Sequence, residues 1–305
     1  MIPLVDLTLY NLSVSEEQVD TATLRELADQ ICHAFQDVGF VYLKNHGISE
    51  KLINDAFSTS KAFFDQPVEM KQKYSLPRGT FHGWIAFEEE KVNHDRPVFD
   101  AREGFAMLVC NDSTSPKNMP PQIDSTFTEI YRTCSKLALR ILDLLSIGLD
   151  KDRDFLRQFH KGMCFGNNTM FRSNFYPPLA ETKEGQARCG EHSDYGTVTF
   201  LFQDDVPGLE AKGPNGEYVP VSPVDHTIVM NLGDMMQRWS ADRLKATKHR
   251  VVVPQDEGDR QRLRQSLSFF VVPDDDASIA CIDGSNKYPT IRCIDYVKGN
   301  FDANF

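Results

Sequence analysis

His192-Ser193-Asp194-Tyr195-Gly196-Thr197-Val198-Thr199-Phe200-Leu201-Phe202 carries two readings at once. Its second half, Thr197 to Phe202, is the β-branched and aromatic run of a strand. Its first half sets a histidine and a carboxylate two residues apart. Residues at that spacing in a strand point to the same side, so His192 and Asp194 are expected to face one cavity. The same texture continues on both sides, from about Met170 onward. Thr227 to Leu232, His249 to Val253 and Ser266 to Val272 read as further short strands. Pro207-Gly208 and Gly213-Pro214-Asn215-Gly216 read as turns, and Asn231-Leu232-Gly233-Asp234 closes an apolar strand with another. Many short strands with tight turns in one block predict a sandwich or barrel.

His249 opens its own apolar run and is read at a strand edge, which adds a second imidazole to His192 and Asp194. Two imidazoles and one carboxylate, without thiolate, suit Fe(II), Mn(II) or Ni(II) comparably. Three such ligands on one face of an octahedron leave the opposite face open for oxygen and a co-substrate. Zinc with a hydrolytic water is the other chemistry this set allows, although no glutamate in an H-E-x-x-H arrangement stands by as a base. Downstream, Arg264-Gln265-Ser266 precedes the run Leu267-Ser268-Phe269-Phe270-Val271-Val272. An arginine and a serine two apart on a strand can hold one carboxylate between them. Arg250, Arg260 and Arg262 also fall in this stretch, but Arg264 alone sits immediately before the apolar strand and is read as inward-facing. Upstream, Asn174-Phe175-Tyr176-Pro177-Pro178 places two polar side chains on one face of a strand.

Taken together, the N-x-Y-P-P at Asn174, the H-S-D-Y-G-T-V-T at His192, the N-L-G-D-M-M-Q-R-W at Asn231, the H-R-V at His249 and the R-Q-S at Arg264 resemble the 2-oxoglutarate- and Fe(II)-dependent dioxygenases of the isopenicillin N synthase-like superfamily. Ile2 to Leu7, Gly39 to Ile48, Phe63 to Pro67 and Arg102-Glu103-Gly104-Phe105 extend the likeness, so it runs collinearly over nearly the whole chain. The resemblance implies an α+β fold with a mainly β core, a double-stranded β-helix or jelly roll flanked by N-terminal helices. It implies that His192, Asp194 and His249 bind Fe(II). It also implies that Arg264 and Ser266, with Tyr176 as a third partner and Asn174 shaping the site, take the distal carboxylate of 2-oxoglutarate. Oxygen is then consumed, the keto acid becomes succinate and CO2, and a C–H bond of a small molecule is hydroxylated, desaturated or closed into a ring. Some members of the superfamily keep R-x-S without using 2-oxoglutarate, so the motif points first to a carboxylate site.

The 305 residues are read as one compact unit. Residues 1–125 form an N-terminal region, 160–275 the jelly-roll core and 276–305 a segment folding back on it. Apolar residues from Thr21 to Val38 fall at helical spacing and stop at Gly39; a second helix is expected over Ser49 to Phe64, and a long one from Phe127 to Leu145. The stretch from His82 to Pro121 has weak periodicity and reads as irregular, with 82–108 as a pocket-lining segment closing over the barrel mouth. Phe81, His82, Trp84, Phe105, Arg172, Tyr195 and Arg238 are the candidate substrate residues; aromatics beside a basic group suit a small, anionic organic molecule.

With 41% hydrophobic and 25% charged residues, disorder is not indicated. A net charge of −11 argues against nucleic acid or anionic membranes as partners. Cys32, Cys110, Cys134, Cys164, Cys189, Cys281 and Cys293 are scattered, odd in number and without C-x-x-C, which fits reduced thiols in a cytoplasm. Neither a secretory signal nor a membrane span is expected. Besides the leading reading, an iron oxidase that uses no keto acid and a non-catalytic jelly-roll ligand binder remain open; succinate release separates the first two.

Overall fold

The computed structural model describes residues 1–77, 79–93, 95–108, 119–164 and 166–301. Its strands are β1 Leu4–Asp6, β2 Phe40–Lys44, β3 Gly83–Ile85, β4 Glu103–Leu108, β5 Met170–Tyr176, β6 Cys189–His192, β7 Val198–Gln203, β8 Leu209–Lys212, β9 Tyr218–Pro220, β10 Thr227–Leu232, β11 His249–Val251, β12 Arg264–Val271, β13 Ser278–Ile279 and β14 Ile291–Arg292. Its α-helices are α1 Thr21–Asp37, α2 Glu50–Phe64, α3 Val68–Lys71, α4 Pro121–Gly148, α5 Asp234–Trp239, α6 Glu257–Arg260 and α7 Cys293–Phe301.

Eight strands form one sheet in the order β1-β2-β10-β7-β12-β5-β4-β3, and four form a second in the order β6-β11-β8-β9. The alternation of side chains along the large sheet decides what goes where. Val198, Phe200 and Phe202 of β7, Leu267, Phe269 and Val271 of β12 and Ile228, Met230 and Leu232 of β10 join the core packed under α1, α2 and α4. Their neighbours point the other way. Phe40, Tyr42 and Val229 of the large sheet meet Cys189, Leu209, Ala211 and Val251 of the small one in a separate inner cluster. Two sheets thus enclose one interior and the helices cover the outer face, the jelly-roll arrangement the sequence predicts.

The helices begin where their caps predict. Asp20 accepts from the Thr23 amide ahead of α1, Ser49 caps α2, and α4 opens with proline in its first turn. Gly39 ends α1 at φ +77°, and a Cβ there would fall 2.0 Å from Thr247 Oγ1, so neither the turn nor the contact tolerates a side chain.

Three expectations differ from the structure. The stretch from His82 to Pro121 is not wholly irregular: β3 and β4 lie within it and form one edge of the large sheet. Glu103 to Met107 are buried on both faces, so the period-two signal of a half-exposed strand is missing. Second, β6 ends at His192, and Asp194 lies beyond it. Third, α4 starts at Pro121, a turn and a half before the expected Phe127. Residue 94 within 82–108, the Cys110 and Cys164 side chains and residues 302–305 fall outside the described residues.

Candidate active site

In the small sheet β6 and β11 run antiparallel with His192 directly opposite His249. The register alone brings the two rings to 4.4 Å between centroids. Asp194 reaches the same point through the turn that follows. Its carbonyl accepts from the Asp234 amide at 2.8 Å, and the Gly233 amide donates to Thr197 at 3.1 Å. A Cβ on Gly233 would meet the Gly196 carbonyl oxygen at 2.3 Å, so the Asn231-Leu232-Gly233-Asp234 turn can nest against Asp194–Gly196 only as glycine.

Each ligand-type side chain is held from behind. The Nδ1 of His192 donates to the Gly190 carbonyl at 2.8 Å and the Nδ1 of His249 to the Thr247 carbonyl at 3.1 Å. With Nδ1 protonated, the Nε2 lone pairs point at the shared space. Asp194 Oδ2 accepts from Thr199 Oγ1 and from Asn231 Nδ2, both at 2.6 Å. Its Oδ1 lies 3.7 Å from each Nε2. One ligand atom from each of the three residues falls within 4.8 Å of the others, the one such group among the described residues. Burial would raise the Asp194 carboxyl, but the facing His249 and His192 and the bonds from Thr199 and Asn231 outweigh it and hold it below its usual range. Burial, with the nearby His192, pushes His249 down to about 4, so its ring is neutral at pH 7.

An inner cavity of about 50 Å³ lies beside the three residues and is lined by Asn174, Tyr176, Arg264 and Ser266 among others. In the ladder Arg264 faces Tyr176 and Ser266 faces Asn174. Arg264 is fully buried. Its Nε donates to the Val206 carbonyl at 3.2 Å, its Nη2 to Gln203 Oε1 at 2.9 Å, and its guanidinium lies 4.9 Å from the centre of the Tyr176 ring. Its Nη1 has no partner. A buried, unsatisfied arm on a cation is costly unless an acceptor arrives.

An outer cavity of about 110 Å³ shares Arg102, Asn174, His192, Asp194 and Phe270 with the inner one and extends to Phe81, Glu90, Val92, Met170, Arg172, Tyr195, Val272 and Val297. His192 and Asp194 therefore border both spaces, and His249 borders the inner one. Of the candidate substrate residues, Phe81, Arg172 and Tyr195 line this cavity. Four others do not. Trp84 and Phe105 pair across β3 and β4 and turn into the helix-side core, where Phe105 packs on Phe63 and Trp84 Nε1 donates to Glu103 at 2.8 Å. His82 lies against Phe105, its Nδ1 accepting from the Leu108 amide. Arg238 is directed to the C-terminal segment, donating to the Pro289 carbonyl and covering the Tyr288 ring. Val297 was not singled out from the sequence and reaches the cavity through tertiary packing; Glu90, Val92 and Arg102 belong to the segment 82–108 read as pocket-lining, although none was named as a substrate residue. Arg102 and Asn231 do lie inside motifs quoted for the resemblance.

Comparison with known proteins agrees with this geometry. The profile of the 2OG-Fe(II) oxygenase superfamily matches residues 167–273, and that of the non-haem dioxygenase in morphine synthesis N-terminal region matches residues 2–125. A 2-oxoglutarate-Fe(II) type oxidoreductase of Metarhizium rileyi is 31% identical over 271 residues, 82% of this chain and 74% of its own. A proline hydroxylase of Petromyces alliaceus is 31% identical, with 81% of each chain covered. The chain belongs to the 2OG-Fe(II) oxygenase superfamily. The crystal structure of a full-length Neurospora crassa protein in complex with alpha-KG and thymine superimposes with a TM-score of 0.87 at 29% identity, covering 99% of this chain and 96% of that one. The protein is thus a 2-oxoglutarate-dependent Fe(II) dioxygenase, an oxidoreductase with Fe(II), 2-oxoglutarate and O2 as its cofactor and co-substrates. No helix among the described residues is long and apolar enough to cross a membrane.

Proposed function

We propose that His192, Asp194 and His249 hold the iron, that Arg264, Ser266 and Tyr176 take the distal carboxylate of 2-oxoglutarate with Asn174 beside them, and that a small organic molecule enters the outer cavity to lose a C–H hydrogen. The observation that carries this reading is the buried, unpartnered Nη1 of Arg264 in a cavity that also contains the His-Asp-His set. When bound, the iron and keto acid supply the oxidant. The chain's own residues set the rest. Thr199 and Asn231 keep Asp194 ionised and oriented. The Gly190 and Thr247 carbonyls fix both imidazole tautomers. Phe270, shared by both cavities, and Phe81, Tyr195 and Val297 in the outer one exclude water from the reacting carbon. The product is a hydroxylated, desaturated or cyclised molecule, with succinate and CO2.

Calorimetry on the Mn(II)-loaded protein tests the assignment: 2-oxoglutarate should bind the wild type and lose affinity in Arg264→Leu. Aerobic incubation with Fe(II) should convert 2-oxoglutarate to succinate. Absence of 2-oxoglutarate binding by the wild type would give the R-Q-S pair to another carboxylate and favour the keto-acid-independent oxidase. We place the protein in the cytoplasm, a reading supported by the free thiols Cys32, Cys134, Cys189, Cys281 and Cys293 and open to test by cell fractionation.

A further inference from the structure

Two arginines and one glutamate stand in the wall of the outer cavity, and the roles assigned above use none of them. Glu90 is 2% exposed. Its Oε1 accepts from Arg172 Nη1 at 2.9 Å, and its Oε2 accepts from Arg102 Nη2 at 2.8 Å and from Arg172 Nη2. Asn174 Oδ1 accepts from Arg172 Nε at 3.0 Å and from Arg102 Nη1 at 3.3 Å. Asp100 lies 3.8 Å from Arg102, but its carboxylate is engaged elsewhere, by Arg96 at 2.9 Å and by the amides of Val92 and Gly190. Counting Arg96 and Asp100, the cluster holds three guanidinium groups against two carboxylates, one positive charge in excess. Arg102 Nε is buried and has no acceptor. Arg102 also borders both cavities, so it sits next to the reacting centre. Most of the exposed wall area is apolar, from Phe81, Val92, Met170, Phe270, Val272 and Val297, with Asn168, Ser193 and Tyr195 adding polar groups beside His192, Asp194 and Asn174.

A buried positive charge and a leftover N–H donor are stabilised by one anionic acceptor and not by a second cation. We propose, building on the function proposed above, that the substrate is a small, largely apolar carboxylic acid whose single carboxylate is received by Arg102, with Glu90 rejecting a second negative charge. Glu90 does this by occupying the fork of Arg172 itself, so that only one anionic place remains. The apolar walls then hold the carbon skeleton beside His192 and Asp194.

The test uses full-length protein loaded with Mn(II) and 2-oxoglutarate, which binds without turning over. Phenylacetate and cyclohexanecarboxylate are titrated in by calorimetry, each against its own primary amide. The acids should bind about tenfold or more tightly than the amides, the ratio expected for one charge-assisted hydrogen bond. Arg102→Leu should remove that preference while 2-oxoglutarate binding persists, and Arg102→Lys should restore part of it. Glu90→Gln should admit phenylmalonate, which the wild type refuses. Amides binding as well as acids, or neither binding, overturns the proposal, and that comparison needs only the wild type should Arg102→Leu fail to fold. So does loss of 2-oxoglutarate affinity in Arg102→Leu, because Arg102 then serves the co-substrate. Failure of the co-substrate reading itself shows earlier, in the first titration with 2-oxoglutarate, and the acid-to-amide comparison is then read on protein with Mn(II) alone.

Discussion

Asp194 illustrates how a ligand-type carboxylate is made by its neighbours. One oxygen is saturated by Thr199 and Asn231, each at 2.6 Å, and the other faces both imidazoles. Removing a group that orients a ligand without touching the metal costs about 10- to 100-fold in metal affinity. Asn231→Ala should therefore weaken Mn(II) binding by about that factor, read by titration, while the circular dichroism spectrum stays unchanged. An unchanged affinity would mean that Thr199 suffices. Arg264→Leu should cost 2-oxoglutarate binding a few kcal/mol, on the order of a lost charge-assisted pair; a smaller loss would place the carboxylate elsewhere. The H-x-D spacing was readable because both residues stay close in sequence and His249 opens the partner strand. The supports of Asp194 were readable only in part: Asn231 stood in a quoted motif, but its hydrogen bond spans 37 positions. Trp84, Phe105, His82 and Arg238 misled because aromatic and basic character says nothing about which face of a strand or turn a side chain takes.

The segment joining α3 to β4 shows why some elements escaped. Lys71 Nζ donates to Glu103 at 3.0 and 2.8 Å and to the Phe64 carbonyl at 2.9 Å, while Trp84 Nε1 donates to the same carboxylate. The pair is almost wholly buried, with side-chain exposures of 6% and 10%. It ties a helix end to the edge strand β3 and its neighbour β4, both almost entirely buried on both faces. Such strands lack the alternation by which β7, β10 and β12 were legible. The helices were legible because capping residues and apolar stripes are local signals. Breaking a buried pair from one side leaves an uncompensated charge and costs about 3–5 kcal/mol. Lys71→Met should lower unfolding free energy by about that amount in urea titrations. The double variant Lys71→Met/Glu103→Gln should recover a large share, since no bare carboxylate then remains; failure to recover would assign the loss to packing instead.

The large sheet interleaves two parts of the chain: β1 and β2 at one side and β3 and β4 at the other come from the N-terminal part, and β5, β7, β10 and β12 between them from the later part. We propose that the chain folds as one cooperative unit: a fragment starting at residue 126 should fail to fold, since both sheet edges and the cover from α1 and α2 would be missing. The same compactness predicts a pH dependence. His46 and His160 are buried inside this body, and burial pushes each down to about 4. His160 is also fixed, Nδ1 to the Leu156 carbonyl at 2.7 Å and Nε2 to Thr197 Oγ1 at 2.8 Å. In the unfolded chain both titrate near the ordinary value of about 6.5. Between those values the unfolded state binds more protons than the folded one, so stability rises with pH there. The contribution is complete above about pH 6.5 and is lost as pH falls toward 4. Each histidine gives at most about 1.4 kcal/mol per pH unit within that window. Urea midpoints measured from pH 7 to pH 5 should therefore fall, and His160→Gln, which retains a hydrogen-bonding side chain that does not titrate, should flatten the profile by about one histidine's share. A wild-type profile that is level over this range, or a variant profile of undiminished slope, would mean that His160 is solvated or charged in the folded protein.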